Sequence, residues 1–182
     1  MKQKMSGRGR KDSRIALRKY IEVLPGGVMV EVGSCKGEST VLFAKKFKLV
    51  FAIDPWEGFY QYGDKKDQFL DAGMLKEERD FDKAVHGVSN IAKICSKSNL
   101  VVDKFDDKSL DFVYIDGCHT YESVREDISI WLPKIKPTGM IGGHDYNLKG
   151  WPLVVKAIHE SFGKPPDIRM NGANWAYRKV EL

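Results

Sequence analysis

Two short stretches gather side chains that can move protons. Asp116-Gly117-Cys118-His119 follows the apolar run Phe112–Ile115, and Gly143-His144-Asp145-Tyr146 follows Met140–Gly142. Imidazoles and carboxylates take up and deliver protons near neutral pH, which makes His119, Asp116 and His144 candidate catalytic groups. Two carboxylates at neighbouring strand ends can also share a hard cation such as Mg²⁺, so Asp116 and Asp145 are candidate metal ligands. Structural roles are open to the same residues: Asp116 could cap the helix that follows, and His144 could be a satisfied buried imidazole.

A second group of residues suits a nucleoside. Glu31-Val32-Gly33-Ser34-Cys35-Lys36-Gly37-Glu38-Ser39-Thr40 is an E-x-G-x-x-x-G turn between a short apolar run and a helical pattern. Glycines let a backbone approach a ligand closely, and a helix N-terminus offers unpaired N–H groups. A nicotinamide dinucleotide site favours G-x-G-x-x-G, and the middle glycine is absent here. Asp54, 21 residues after Gly33, ends the next apolar run, where a carboxylate can accept hydrogen bonds from both hydroxyls of a ribose. Candidate cofactor contacts are therefore Glu31, Gly33, Ser34, Gly37, Ser39, Thr40 and Asp54, with Trp56 set either against an adenine or in the core. A tight turn needs glycine in any case, and Asp54-Pro55 also begins turns.

These residues need elements to position them. Residues 13 to 23 read as a lead-in helix closed by Pro25-Gly26-Gly27. Val28 to Val32, Leu49 to Ile53, Ile91 to Cys95, Phe112 to Ile115 and Met140 to Gly142 are short apolar, mostly β-branched runs. Between and after them, helical spacing recurs from Val41 to Phe47, Asp67 to Val88, Tyr121 to Leu132 and Leu153 to Phe162. The alternation predicts an α/β, Rossmann-like doubly wound fold with a mostly parallel, seven-stranded sheet and helices on both faces. Ligands in such sheets bind outside the carboxyl ends of the strands, where the polar stretches fall. The aromatic and charged segment from Pro55 to Lys66 reads as a loop inserted over the site, and the region from 55 to 80 as a lid or homodimer arm.

Composition bounds the rest. A chain of 182 residues with 42% hydrophobic content can bury one full core, so residues 13–182 are expected to form a single domain behind a basic, flexible tail at 1–12. Lys2, Lys4, Arg8, Arg10, Lys11, Arg14, Arg18 and Lys19 supply much of the +5 net charge. They could meet nucleic acid, but no aromatic is interleaved among the first ten residues to stack on bases, which favours a solvated tail. No apolar run approaches the roughly 20 residues that cross a bilayer. Cys35, Cys95 and Cys118 form no C-x-x-C pair and suit a reducing compartment, so a cytoplasmic protein without membrane partners is expected.

The stretch Asp111-Phe112-Val113-Tyr114-Ile115-Asp116-Gly117-Cys118-His119-Thr120-Tyr121, together with Gly143-His144-Asp145-Tyr146, resembles class I S-adenosylmethionine-dependent methyltransferases. The resemblance covers about residues 28 to 160 and is most specific to the group containing sugar and glycan O-methyltransferases. It implies that Gly33 and Gly37 line S-adenosylmethionine, that Asp54 holds its ribose, and that Asp116 and Asp145 bind Mg²⁺. It further implies that His119 is the base for the hydroxyl of a small-molecule or glycan acceptor. Tyr146 departs from the pattern, because metal-dependent relatives often carry Asp or Asn there; Thr138 and Cys118 depart without consequence for the fold. A non-catalytic nucleoside-binding or RNA-associated module would not need four polar residues beyond the cofactor, and a nicotinamide-dependent oxidoreductase lacks its glycine.

Overall fold

The computed structural model describes residues 7–57, 59–62, 65–68, 71–170 and 173–179. In chain order the elements are α1 (Gly7–Glu22), β1 (Val28–Val32), α2 (Thr40–Phe43), β2 (Leu49–Asp54), β3 (Phe59–Tyr62), β4 (Lys65–Gln68) and α3 (Asp71–Val85). They continue with β5 (Ile91–Cys95), β6 (Leu110–Ile115), α4 (Tyr121–Trp131), β7 (Ile135–Gly143), α5 (Pro152–Phe162), β8 (Ile168–Met170) and β9 (Asn174–Arg178).

Seven strands form one sheet in the order β5-β2-β1-β6-β7-β9-β8. The pairs β2/β5, β1/β2, β1/β6 and β6/β7 are parallel, whereas β9 runs antiparallel to β7 and to β8. Parallel strands need crossover helices, and those helices cover both faces, so the central strands are apolar on both sides. Alternate residues feed two cores. Val30, Val32, Val113, Ile115 and Ile141 pack with Val124, Ile128 and Trp131 of α4 and Val154, Ala157 and Ile158 of α5. Met29, Phe112, Tyr114 and Met140 point the other way, onto Tyr20 and Ile21 of α1 and Leu42 and Phe43 of α2. The Tyr20 hydroxyl donates to the Trp175 carbonyl at 2.7 Å, tying the first helix to the antiparallel edge.

Three expectations change. The first helix begins at Gly7, so residues 7–12, read as tail, are helical; residues 1–6 lie outside the described residues. Arg and Lys are good helix formers, so basic character alone does not end a helix. The segment from 55 to 66 carries β3 and the start of β4, an antiparallel hairpin that runs on to Gln68, in place of a plain loop. The last two strands, β8 and β9, escape sequence reading: β8 has only three residues, and Ala176 and Tyr177 of β9 are both buried, so no alternation marks it. No helix among the described residues is long and apolar enough to cross a membrane.

Candidate functional site

The glycine turn after β1 is shaped by close approach. At Gly33 φ is +88°, and a side chain there would begin 2.2 Å from the Asp116 carbonyl oxygen, so only glycine lets the β1 and β6 ends converge. Beside it opens a cavity of about 270 Å³, lined by Val32, Gly33, Ile53 and Pro55 on one side and by Ser96, Ser98, Gly117, Cys118 and Asp127 on the other. It lies outside the carboxyl ends of β1, β2, β5 and β6, where the fold predicts a ligand.

Four other residues of the turn act on each other. Glu31 is fully buried; its Oε2 accepts from Ser34 Oγ at 2.9 Å and from Thr40 Oγ1, and Ser39 adds a further hydrogen bond. Its Oε1 has no hydrogen-bond partner among the described residues. Burial raises the Glu31 carboxyl to about 7 against the pull of those hydroxyls. The resemblance assigns Gly37 to the cofactor, but its φ of +74° aims the side-chain position at the Phe81 ring, 3.0 Å away, and it is absent from the cavity wall.

Asp54 also has structural duties. It is fully buried, and its two oxygens accept from the backbone N–H groups of Cys35 and Trp56 at 2.9 and 2.8 Å, bracing the turns after β1 and β2. Trp56 does not line the cavity. Its φ of 45° turns the ring inward onto Phe81, centroids 4.9 Å apart, and its Nε1 donates to the Cys35 carbonyl at 2.8 Å, so it belongs to the core. In this region Glu57 reaches the cavity instead.

Asp116, His119, His144 and Asp145 do come together. His119 Nε2 lies 2.5 Å from Asp145 Oδ2 and 3.8 Å from Asp116 Oδ1. His144 Nδ1 lies 3.1 Å from Asp145 Oδ1 and 3.9 Å from Asp116 Oδ1. Strand alternation predicts that only one of His144 and Asp145 faces this point. Both do, because β7 has ended and Asp145 sits at φ +61°, a left-handed turn that swings its carboxylate back between the two rings. Such a conformation is uncommon outside glycine and clusters at functional sites.

The electrostatics follow from this geometry. Burial disfavours a charged His119, but hydrogen bonds to Asp116 and Asp145 outweigh it and lift the ring to about 10. Burial likewise opposes the Asp145 charge, and its bonds to His119 and His144 overcome this and hold the carboxyl below its ordinary range. His119 thus pairs with Asp145 and stacks on Trp151, with centroids 4.4 Å apart. His144 is 34% exposed and Asp116 29%, against 16% for His119 and 13% for Asp145, so the first two face an incoming molecule. Thr120, and not Asp116, caps α4 by accepting from Ser123 N–H. Asp116, His144 and Asp145 each offer a ligand atom, all within 4.8 Å of one another. Tyr146 is not among them; its hydroxyl meets His159 Nε2 at 2.7 Å.

Sequence reasoning missed Glu57, Ser96, Ser98 and Asp127. Ser96 directly follows β5, so the strand-end rule alone could have found it; Asp127 sits inside a helix among other charged residues and carries no local signal.

The chain resembles several proteins. It is 26% identical over 130 residues to the uncharacterized protein y4gI of Sinorhizobium fredii, covering 66% of this chain and only 13% of that one. The O-methyltransferase NovP superposes with a TM-score of 0.62 at 16% identity, covering 93% of this chain and 78% of that one. Precorrin-6y C5,15-methyltransferase from Geobacter metallireducens gives 0.58 at 15% identity, covering 88% and 74%. Phosphoethanolamine N-methyltransferase 1 of Haemonchus contortus, solved with phosphoethanolamine and S-adenosylhomocysteine, gives 0.54 at 16%, covering 75% and 26%. These likenesses establish the fold. Residues 30–146, from the first strand through the Asp116–Asp145 cluster, match the methyltransferase domain model, and the chain belongs to that family.

Proposed function

We propose that the chain transfers a methyl group from S-adenosylmethionine to a hydroxyl of a sugar, a glycan or another small hydroxylated acceptor. One observation carries this reading: Gly117 and Cys118 wall both the nucleoside-sized cavity and the smaller recess of Asp116, His119, His144 and Asp145, so cofactor and proton-handling groups meet at one boundary. The acceptor oxygen forms a bond to the methyl carbon, the carbon–sulfur bond breaks with its electrons passing to sulfur, and S-adenosylhomocysteine leaves. Alignment supplies much of the rate in such a displacement. The hydroxyl proton goes to His144, the most open of the four groups, with Asp145 orienting its ring and His119 holding Asp145 in place. Glu31, with its unpartnered Oε1, suits the ammonium end of the cofactor.

A divalent cation fits Asp116, His144 and Asp145, the sequence pair of carboxylates plus one imidazole. That donor set suits Mn²⁺ or Zn²⁺ as well as Mg²⁺, which favours oxygen alone. Such an ion would polarise the acceptor oxygen and ease loss of its proton. The test is production of S-adenosylhomocysteine from S-adenosylmethionine across a panel of hydroxylated acceptors, before and after exhaustive chelation. Turnover unchanged by chelation removes the cation and leaves His144 as the base; failure to bind S-adenosylhomocysteine at all removes the reading.

A further inference from the structure

The left-handed turn at Asp145 is gripped by a strand outside the family-matched segment. That match ends at residue 146, whereas β9 begins at Asn174. Gly143, the last residue of β7, pairs with Trp175. Just beyond it the Trp175 indole Nε1–H donates to the His144 carbonyl at 3.0 Å, and the Tyr146 N–H donates to the Ala173 carbonyl, also at 3.0 Å. The His144 carbonyl lies in the rigid peptide plane before Asp145, and the Tyr146 N–H in the plane after it. The orientations of those two planes are the φ and ψ of Asp145, so the strand end holds both dihedrals. From the other side the His144 N–H donates to the Ile115 carbonyl of β6 at 3.1 Å.

The indole is itself held firmly. Trp175 is 1% exposed, and its ring lies against Phe162 of α5 and Tyr177, with centroids 6.2 and 6.0 Å apart. Its carbonyl accepts from the Tyr20 hydroxyl at 2.7 Å, and the neighbouring Asn174 Oδ1 accepts from the Tyr114 hydroxyl at 2.8 Å. The ring also forms part of the wall of the recess that holds Asp116, His119, His144 and Asp145. A phenylalanine would fill most of the same space; what the indole adds is one N–H donor. A non-glycine residue at φ +61° persists where its surroundings over-determine it, and here β9 supplies that constraint. We propose that Trp175 is a positioning residue for methyl transfer: its N–H, with the Ala173 carbonyl, locks the turn and so aims the Asp145 carboxylate between His119 and His144. This rests on the reading of that cluster as the proton-handling site.

The experiment is Trp175→Phe in the whole chain, read in two ways. Amide exchange followed by NMR needs no ligand: the Tyr146 N–H should exchange at least about tenfold faster than in wild type while the amides of Val113 and Ile115 keep their rates, because only the turn has lost a tether. Turnover is measured with S-adenosylmethionine and the best hydroxylated acceptor of the panel above. Here kcat should fall about 10–100-fold, the range for a small misplacement of catalytic groups, with acceptor KM and S-adenosylhomocysteine affinity within about threefold. In an Asp145→Asn background the same change should cost less than about threefold, since it acts through that carboxylate. Unchanged exchange at Tyr146, unchanged kcat, or an equal loss in both backgrounds overturns the proposal. If Trp175→Phe does not fold, a tryptophan analogue with sulfur in place of the indole N–H, inserted at position 175, removes the donor and keeps the ring, and the same outcomes decide. A wild type that turns over no acceptor removes the methyl-transfer reading, and Tyr146 exchange alone then decides whether Trp175 holds the turn.

Discussion

Replacing Glu31 by Gln should raise stability and weaken cofactor binding in the same molecule. The carboxyl is fully buried and raised by desolvation to about 7 from an ordinary 4.5. Between these values the folded protein holds a proton that the unfolded chain has released, so stability falls as pH rises from about 4.5 through about 7. The difference corresponds to about 3 kcal/mol that is present at acid pH and lost above neutrality. Glutamine is isosteric and uncharged, and its side-chain oxygen can still accept from Ser34 and Thr40. At pH 8 Glu31→Gln should therefore exceed wild type by about 1–3 kcal/mol, some of the gain being offset by weaker, uncharged hydrogen bonds. At pH 5 the two proteins should agree within about 1 kcal/mol. Urea unfolding at both values measures this. Loss of this ionised partner for a bound ammonium should weaken S-adenosylhomocysteine at least about tenfold at pH 8. An equal stability difference at the two pH values would show that Glu31 does not titrate with folding. Unchanged affinity would remove it from the cofactor site.

Three further outcomes follow from single contacts. Gly33→Ala sets a Cβ 2.2 Å from the Asp116 carbonyl oxygen at a φ of +88° and should cost about 2–4 kcal/mol, seen as a clear drop in Tm together with weaker S-adenosylhomocysteine binding. Tyr20→Phe leaves the buried Trp175 carbonyl without its side-chain donor and should cost about 1–2 kcal/mol in urea while cofactor affinity holds. Asp145→Asn keeps a residue type that tolerates the left-handed turn but removes the charge between His119 and His144. Turnover should fall about 10²–10⁴-fold with S-adenosylhomocysteine affinity within about threefold, and a variant of near-normal turnover would show that His144 needs no oriented carboxylate.

What the sequence alone determined is local. The runs at Val28, Leu49, Ile91, Phe112 and Met140 are strands because a short β-branched or apolar stretch bounded by turn-forming residues such as Gly, Asp, Asn or Ser has few other stable forms. Their alternation with amphipathic segments leaves a parallel sheet as the economical packing. The strand-end rule puts Gly33, Asp116 and Asp145 at one edge of the sheet from sequence alone.

Tertiary structure decided where each side chain turns and what it meets. Trp56 enters the core beside Phe81, and Gly37 faces the same ring 44 positions away in the chain, because α3 packs there; nothing near either residue in sequence announces it. His144 and Asp145 share a site against strand alternation because one left-handed residue ends the pleat. Asp127 reaches the cavity because α4 is pressed against the turn after β5 and Gly117 leaves the way open. Periodicity records which residues are apolar within a few turns of chain. Burial, pairing and pKa are set by neighbours brought in from tens of residues away, and a sequence read along its length does not contain those distances.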